Sequence, residues 1–492
     1  MLKKIHPYAK IIITYISVIL IGTICFALPI ASTSGESIGF VDALFTATSC
    51  TCVTGLNVIV PATGFTMFGK AVIIVLMEIG GLSFITVTVF FFTIIGAKIG
   101  LSNRFLLREQ LNQSSTEGLI SLVKRIVLIS FVIQFIFSFV NWYPMYLYLR
   151  ALIDSKDLQS IGIDGNLSEL EQYLYSYFLS IFHSVSSFNN AGIDILGDRS
   201  LEMFSTGSTV IPSWAIITLN MTTIFMIILG SIGFVVYSDV WKNKFKWKKF
   251  NLHTKIVLST TALLIAFGTI FIWVSANFIK STTIFDSNGN YIVAPHMHIM
   301  EAAFTNITCR SAGFYTYSME YLSALPVTYC ICIILMIIGA SPCSTGGGVK
   351  TTTFAVIAIA IYYFARGKEA KAFKRRISKE QISKAFVLML MAIIIIVVGT
   401  AVVLTIQPNL GLDKVLFEVV SAFSTAGLTM GITTSLNVAN KIIIATIMFF
   451  GRLGPLTIIG VLNKNWMANT KEEIQYAKEN VIIGWKSIIR IF

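Results

Sequence analysis

The sequence predicts an all-α polytopic membrane protein. Eight membrane-spanning helices and four re-entrant pore helices form four helix–pore loop–helix repeats around one shared central pore. Three observations predict this. The 492 residues are 55% hydrophobic and only 12% charged, with a mean hydropathy of +0.78, whereas a soluble domain carries about 25% charged residues. Apolar runs long enough to span a bilayer fall near 9–30, 66–97, 121–150, 210–238, 254–279, 323–363, 385–406 and 437–462. Between paired runs lies a small-residue, hydroxyl-rich segment that occurs four times, each copy running from a phenylalanine to a glycine: Phe45 to Gly55, Phe182 to Gly192, Phe304 to Gly313 and Phe417 to Gly427. The closing glycines are roughly 115 to 135 residues apart, the mark of a large unit duplicated fourfold.

The first run follows Lys3 and Lys4 and is too long for a signal-peptide core, so it reads as a retained first helix. The repeat boundaries follow from the runs: 1–100, 101–250 with an outer insertion at about 151–172, 251–365 with a broken second helix, and 366–462. A C-terminal segment, 463–492, mixes Trp466, Trp485 and Phe492 with lysines and reads as an amphipathic interfacial helix against lipid or a second subunit.

Charge gives an orientation. Lys98, Arg104, Arg108, Lys124 and Arg125 crowd one connection; Lys242, Lys244, Lys246, Lys248 and Lys249 a second; Arg366, Lys368, Lys371, Lys374, Arg375 and Arg376 a third. The 151–172 insertion instead holds Asp154, Asp157, Asp164, Glu169 and Glu171 against Lys156. The positive-inside rule puts both termini in the cytoplasm of a multi-pass cell-membrane protein, with the four loops entering from outside. The net charge of +13 is then a loop bias, and no nucleic-acid partner is expected. Seven cysteines at no framework spacing predict free thiols, and Cys50-x-Cys52 and Cys330-x-Cys332 lack companions for a metal site.

Within each loop, turns near Asp42, Tyr177, Met300 and Lys414 predict a short pore helix whose partially negative C-terminal end faces the membrane centre and favours a cation. Ser49, Ser186, Thr308 and Ser421 follow, and then Val53-Thr54-Gly55, Asn190-Ala191-Gly192, Ser311-Ala312-Gly313 and Thr425-Ala426-Gly427. Glycine permits the backbone that turns carbonyls inward, and rings of carbonyl oxygens can replace the hydration shell of potassium. A single such segment is explained by close helix packing; four in equivalent places favour a filter. Arg310, inside the third copy, must then point away from the ion path.

The sixth run is the odd one. Gly339, Pro342, Ser344, Thr345, Gly346, Gly347, Gly348 and Lys350 interrupt it, which predicts an unwound loop at membrane depth, either a rigid kink or a mobile plug beneath the filter. In the last run Arg452 is costly unless it faces a cavity or a partner. It reads as an interhelical salt bridge, with Glu78 as one candidate, or as a fixed positive charge that sets a barrier to cations. No catalytic triad or carboxylate pair converges, so no enzyme is expected.

With these residues in view, the chain resembles the Trk/Ktr/HKT superfamily of potassium transporters over nearly its full length, and within it the bacterial Ktr membrane subunit (KtrB type). The resemblance rests on Thr46 to Leu56, Phe188-Asn-Asn-Ala-Gly192, Thr308 to Phe314, Ser344-Thr-Gly-Gly-Gly-Val-Lys350 and Gly451-Arg-Leu-Gly-Pro455 together. It implies pseudo-fourfold symmetry, one pore per subunit and a homodimer. Glycine in all four filter copies implies potassium preference, whereas serine in the first copy goes with sodium. The family's intramembrane gate maps onto Gly339 to Lys350 and its pore-facing arginine onto Arg452. A cytosolic ring of regulatory subunits (KtrA type) that bind ATP, ADP or NAD(H) is also implied; the transported potassium is the only ion expected on this chain. The uptake could be passive or sodium-assisted. The alternative is a secondary cation transporter with alternating access, suggested by the broken sixth run.

Overall fold

The computed structural model describes residues 7–83, 86–87, 89–90, 93, 118–163, 167–197, 200–206, 208, 210–279, 284–285, 291–292 and 295–454. The ends of the second and last apolar runs, the basic residues Lys98, Arg104 and Arg108, Asp164, and the 463–492 segment lie outside the described residues.

Each repeat contributes an outer helix, a pore helix and an inner helix. In the first these are α1 (Pro7–Ala27), α2 (Phe40–Cys52) and α3 (Met67–Leu82). In the second they are α4 (Leu119–Asp154), α5 (Glu169–Asn189) and α6 (Ser213–Ile232), continued by α7 (Phe234–Lys242). The third has α8 (Leu252–Phe278), α9 (Ile299–Cys309) and an inner helix split into α10 (Pro326–Ile337) and α11 (Thr351–Ala365). The fourth has α12 (Lys379–Ile406), α13 (Leu412–Ser424) and α14 (Val438–Leu453). Side-chain caps set several starts: Thr66 accepts from Gly69 N, Asn437 from Asn440 N, and Ser168 with Glu171 and Ser378 with Gln381 form capping boxes.

Among the described residues, five helices are long and apolar enough to cross a membrane: the outer helix of every repeat and α6. The outer helices carry their apolar side chains outward, as with Ile21 and Ile24, Phe135 and Ile136, Phe267 and Phe271, and Val397 and Val398. Such faces suit lipid, which is as apolar as the side chains themselves. The 151–172 insertion proves to be mostly helical: α4 runs on to Asp154, a short 3₁₀ turn covers Leu158–Ile161, and α5 begins at Glu169. At 36 residues and about 1.5 Å per residue, α4 is longer than a hydrocarbon core of about 30 Å, so its end emerges from the bilayer.

The packing order closes a ring. Each pore helix sits between the outer and inner helices of its own repeat and also touches the inner helix of the preceding one: α5 meets α3, α9 meets α6, α13 meets α10, and α2 meets α14. The last contact joins the first repeat to the fourth, giving pseudo-fourfold symmetry. The phenylalanine that opens each motif anchors its pore helix in the core: Phe45, Phe182, Phe304 and Phe417 are at most 1% exposed. Among the described residues, only the closing seam carries an ion pair, Lys441 Nζ to Asp42 Oδ1 at 2.6 Å, with both side chains partly exposed. Removing it with Lys441→Ala is expected to destabilise by only about 1 kcal/mol, and by no more in the double variant with Asp42→Asn. Thermal unfolding of the solubilised protein checks this.

Candidate ion pathway

The pore helices run further into the repeated motif than the sequence predicts. They carry Ser49, Ser186, Thr308 and Ser421 in their last turns and stop directly before the left-handed bend in three repeats, with Arg310 intervening in the third. That bend falls on a non-glycine residue in every repeat: Val53 (φ 57°), Asn190 (58°), Ser311 (77°) and Thr425 (50°). A left-handed L-residue costs about 1–2 kcal/mol, and a β-branched valine is especially unsuited to it. Helix-capping bonds offset the cost. The N–H groups of Thr54, Ala191 and Ala426 donate to the carbonyls of Ser49, Ser186 and Ser421, each at 2.8 Å, as in a Schellman turn. In the third repeat Ala312 N donates to Thr308 O at 2.9 Å. This copy is one residue shorter, and its bond spans one residue fewer. The hydroxyls add a second tie: Gly55 N donates to Ser49 Oγ (3.1 Å), Ser186 Oγ to Ile193 O (2.6 Å), and Thr308 Oγ1 to Phe314 O (2.7 Å). The Ser421 hydroxyl is buried without a partner.

Two residues after each bend, the closing glycines meet in a ring. Gly55, Gly192, Gly313 and Gly427 all have positive φ, from 64° to 99°. A Cβ added to Gly55 would lie 2.6 Å from Ala191 O, one on Gly192 2.5 Å from Ala312 O, and one on Gly313 2.9 Å from Ala426 O; one on Gly427 would strike Thr54 O. Each glycine thus abuts the carbonyl preceding the next repeat's glycine, and the fourth returns to the first. All four line a single cavity of about 400 Å³, whose wall includes Asp194 and Glu320. Of the twelve predicted filter residues, the four glycines thus meet in one ring and line this vestibule, and Thr54, Ala191, Ala312 and Ala426 abut them through their carbonyls. Arg310 is buried, with Nε and one terminal nitrogen unpartnered, and it is not among the residues lining that vestibule.

The far side of the ring is covered by the interruption of the sixth run. Residues 338–350 form an extended loop, hydrogen-bonded by Gly339 N to Val349 O at 2.9 Å. Thr345 Oγ1 meets the side-chain amide of Asn190 (2.9 Å), Gly347 N donates to Thr425 Oγ1 (3.0 Å), and Gly346 packs on Ser311. The loop therefore touches the left-handed residue of three repeats. Its glycines have a steric reason: a Cβ on Gly346, Gly347 or Gly348 would crowd Ala340, Thr425 or Ser424. Close approach therefore accounts for these glycines whether the loop is a rigid kink or a mobile plug. Lys350 Nζ donates to Gly346 O (2.8 Å) and braces the turn.

Arg452 locks the arrangement from the fourth repeat. Its guanidinium donates to Thr345 O in the loop and to Gly80 O at the end of α3. The expected candidate partner Glu78 is not used. Its carboxylate accepts from Asn189 Nδ2 (2.6 Å) and Gln134 Nε2 (3.1 Å) instead. A half-buried guanidinium is satisfied here by backbone carbonyls of the loop and of a helix end, which removes the need for a counter-ion.

The helix interruption is also less singular than the sequence suggested. α3 stops at Ser83 (φ 71°), α6 at Gly233 (φ 95°) and α14 at Gly454 (φ 80°). Three residues earlier, Gly80, Gly230 and Gly451 pack on the carbonyls of Thr51, Phe188 and Phe423, where a side chain has no room. The signal was present as Gly80-Gly-Leu-Ser83, Gly230-Ser-Ile-Gly233 and Gly451-Arg-Leu-Gly454, a small residue recurring three positions later in three inner helices.

Comparison with known proteins agrees with this fold. The profile of the TrkH family, described as cation transport protein, matches residues 3–466. The Ktr system potassium uptake protein B of Bacillus subtilis is 36% identical over 98% of this chain and 97% of its own length. The potassium/sodium uptake protein NtpJ of Enterococcus hirae is 33% identical over 98% of both. The crystal structure of the potassium transporter TrkH from Vibrio parahaemolyticus superposes with a TM-score of 0.65 at 15% identity, covering 94% of this chain and 86% of that one, a likeness of fold.

Proposed function

We propose that this chain, which belongs to the TrkH family of cation transport proteins, takes potassium into the cell across the cytoplasmic membrane through the ring of loop ends. The closed cycle of Gly55, Gly192, Gly313 and Gly427 at the floor of one vestibule carries the proposal. Around that axis the backbone of Val53-Thr54-Gly55 and its three counterparts offers carbonyl oxygens in place of water. The relatives named for potassium uptake favour potassium as the cargo.

Four pore-helix C-termini converge on the ring, so their partial negative charges favour a cation there. The vestibule carboxylates draw cations toward it. Glu320, exposed at the rim, supplies part of that field. Glu320→Gln is expected to slow uptake roughly two- to fivefold at low ionic strength and to have no effect at about 1 M salt, where the Debye length is about 3 Å. Initial uptake rates across a salt series check this.

The loop 338–350 and Arg452 act as the gate in this reading, since the loop underlies three repeats and the arginine fastens it to the fourth and first. Both termini face the cytoplasm, two copies form a dimer with one pore each, and a nucleotide-binding ring on the cytosolic side moves the gate. ATP, ADP or NAD(H) belongs to that ring. A sodium requirement is a second reading, favoured by the NtpJ name. Alternating access finds less support, because a closed fourfold ring has no opposed halves to rock. Liposomes holding the purified protein should take up rubidium or potassium down its gradient, with and without sodium. Strict dependence on a counter-ion would favour the secondary-transporter reading, and absence of flux with a matching regulatory ring would defeat the proposal.

A further inference from the structure

We infer that Glu78 is a positioning residue for ion selection, acting through Asn189 on the second loop end; the inference rests on the potassium pathway proposed above. Glu78 lies on α3, two residues before Gly80, and its carboxylate reaches across the seam between the first two repeats. It accepts from Asn189 Nδ2 at 2.6 Å and from Gln134 Nε2 of α4 at 3.1 Å. Among the described residues it makes no ion pair. Asn189 is the last residue of α5, directly before the left-handed Asn190 that meets Thr345 of the loop.

This contact exists at one seam only. At the same offset from the packing glycine, α6 has Ile228 and α14 has Phe449. Three residues before the closing glycine, where the second repeat has Asn189, the others have Cys52, Arg310 and Ser424. The fourfold plan is therefore broken by one polar clasp. It binds the helix end whose Gly80 carbonyl also receives Arg452, so the clasp and the arginine hold the end of α3 from two sides.

The hydrogen bond holds Asn189 in place. The other amide atom, Asn189 Oδ1, has no partner and leaves no room for a side chain at Gly81. Without Glu78, Asn189 keeps only the bond from its Nδ2 to Val185 O at 3.0 Å. The amide is then held at one point only, and the bend at Asn190 loses one of its supports while keeping the capping bond from Ala191 N to Ser186 O. A change in that bend moves the Ala191 carbonyl that faces Gly55. Selection among ions would change before folding or gating is lost.

The test is the ratio of rubidium to sodium flux in proteoliposomes for wild type, Glu78→Ala, Glu78→Gln, Asn189→Ala and the double variant Glu78→Ala/Asn189→Ala, each normalised to folded protein. Glu78→Gln keeps an acceptor for Asn189 and should retain the wild-type ratio. Glu78→Ala and Asn189→Ala should each lower it several-fold, and the double variant should fall no further than either alone. A wild-type ratio in Glu78→Ala, whatever its yield, would overturn the inference while leaving the potassium pathway intact. An equal loss in Glu78→Gln would also overturn it, by assigning the effect to charge. A wild-type protein that does not prefer rubidium would overturn both readings.

Discussion

Gly55→Ser is expected to lower the preference for potassium over sodium at least tenfold. Any side chain at residue 55 begins with a Cβ 2.6 Å from Ala191 O, 3.2 Å from Gly427 Cα and 3.3 Å from Gly192 C, on a backbone with φ +99°. The nearest atoms belong to the backbones of two other repeats, so no flexible neighbour can yield. The ring must widen, or the first loop end must leave its left-handed conformation. Either change shifts the oxygens proposed to select the ion, and about 1.4 kcal/mol of lost discrimination is already tenfold. The serine hydroxyl also brings a ligand that a hydrated or smaller ion can use. Rubidium and sodium fluxes measured in parallel decide it. An unchanged ratio would mean that Gly55 is outside the selective step.

Arg452→Ala, or removal of Gly346, Gly347 and Gly348, is expected to raise flux in the absence of any regulatory partner. Arg452 donates to Thr345 O on the loop and Gly80 O on α3, and hydrogen bonds from a charged donor are worth about 1.5–3 kcal/mol each. If the closed loop loses one such bond, the ratio of closed to open shifts by roughly tenfold to a hundredfold. Removing the arginine also withdraws a positive charge from the proposed route of the cation. Deleting the three glycines removes Gly347 N, which bonds Thr425 Oγ1, and the close approach to Ser311 and Ser424. The two lesions act on one latch, so combining them should add little. Uptake at wild-type levels in both variants would assign the loop a structural role only.

The fold was legible because membrane depth allows few solutions. Long apolar runs and four similar loops fix the number of repeats, and Phe45, Phe182, Phe304 and Phe417 mark where each pore helix enters the core. The closing glycines were legible for the same reason: a motif repeated at equivalent places carries information that a single copy does not. The bends at Val53, Asn190, Ser311 and Thr425 were not, since valine and threonine have no local preference for positive φ, and it takes the capping bonds at the pore-helix ends together with the tertiary ring to hold them there. The breaks at Ser83, Gly233 and Gly454 left a small-residue trace that was overshadowed by the more conspicuous Pro342 and triple glycine. Glu78 is one candidate partner of Arg452 in the sequence because opposite charge is a cue that linear sequence makes visible; the structure pairs it otherwise. Its true partners, Asn189 and Gln134, are neutral amides from the second repeat that nothing in linear order connects to it.

The most direct test is to locate the ion itself. The protein crystallised in rubidium or thallium should give an anomalous peak on the axis enclosed by Gly55, Gly192, Gly313 and Gly427, within coordination distance of backbone oxygens from all four repeats. Peaks confined to positions off that axis, or an axis that stays empty at saturating ion, would contradict the account.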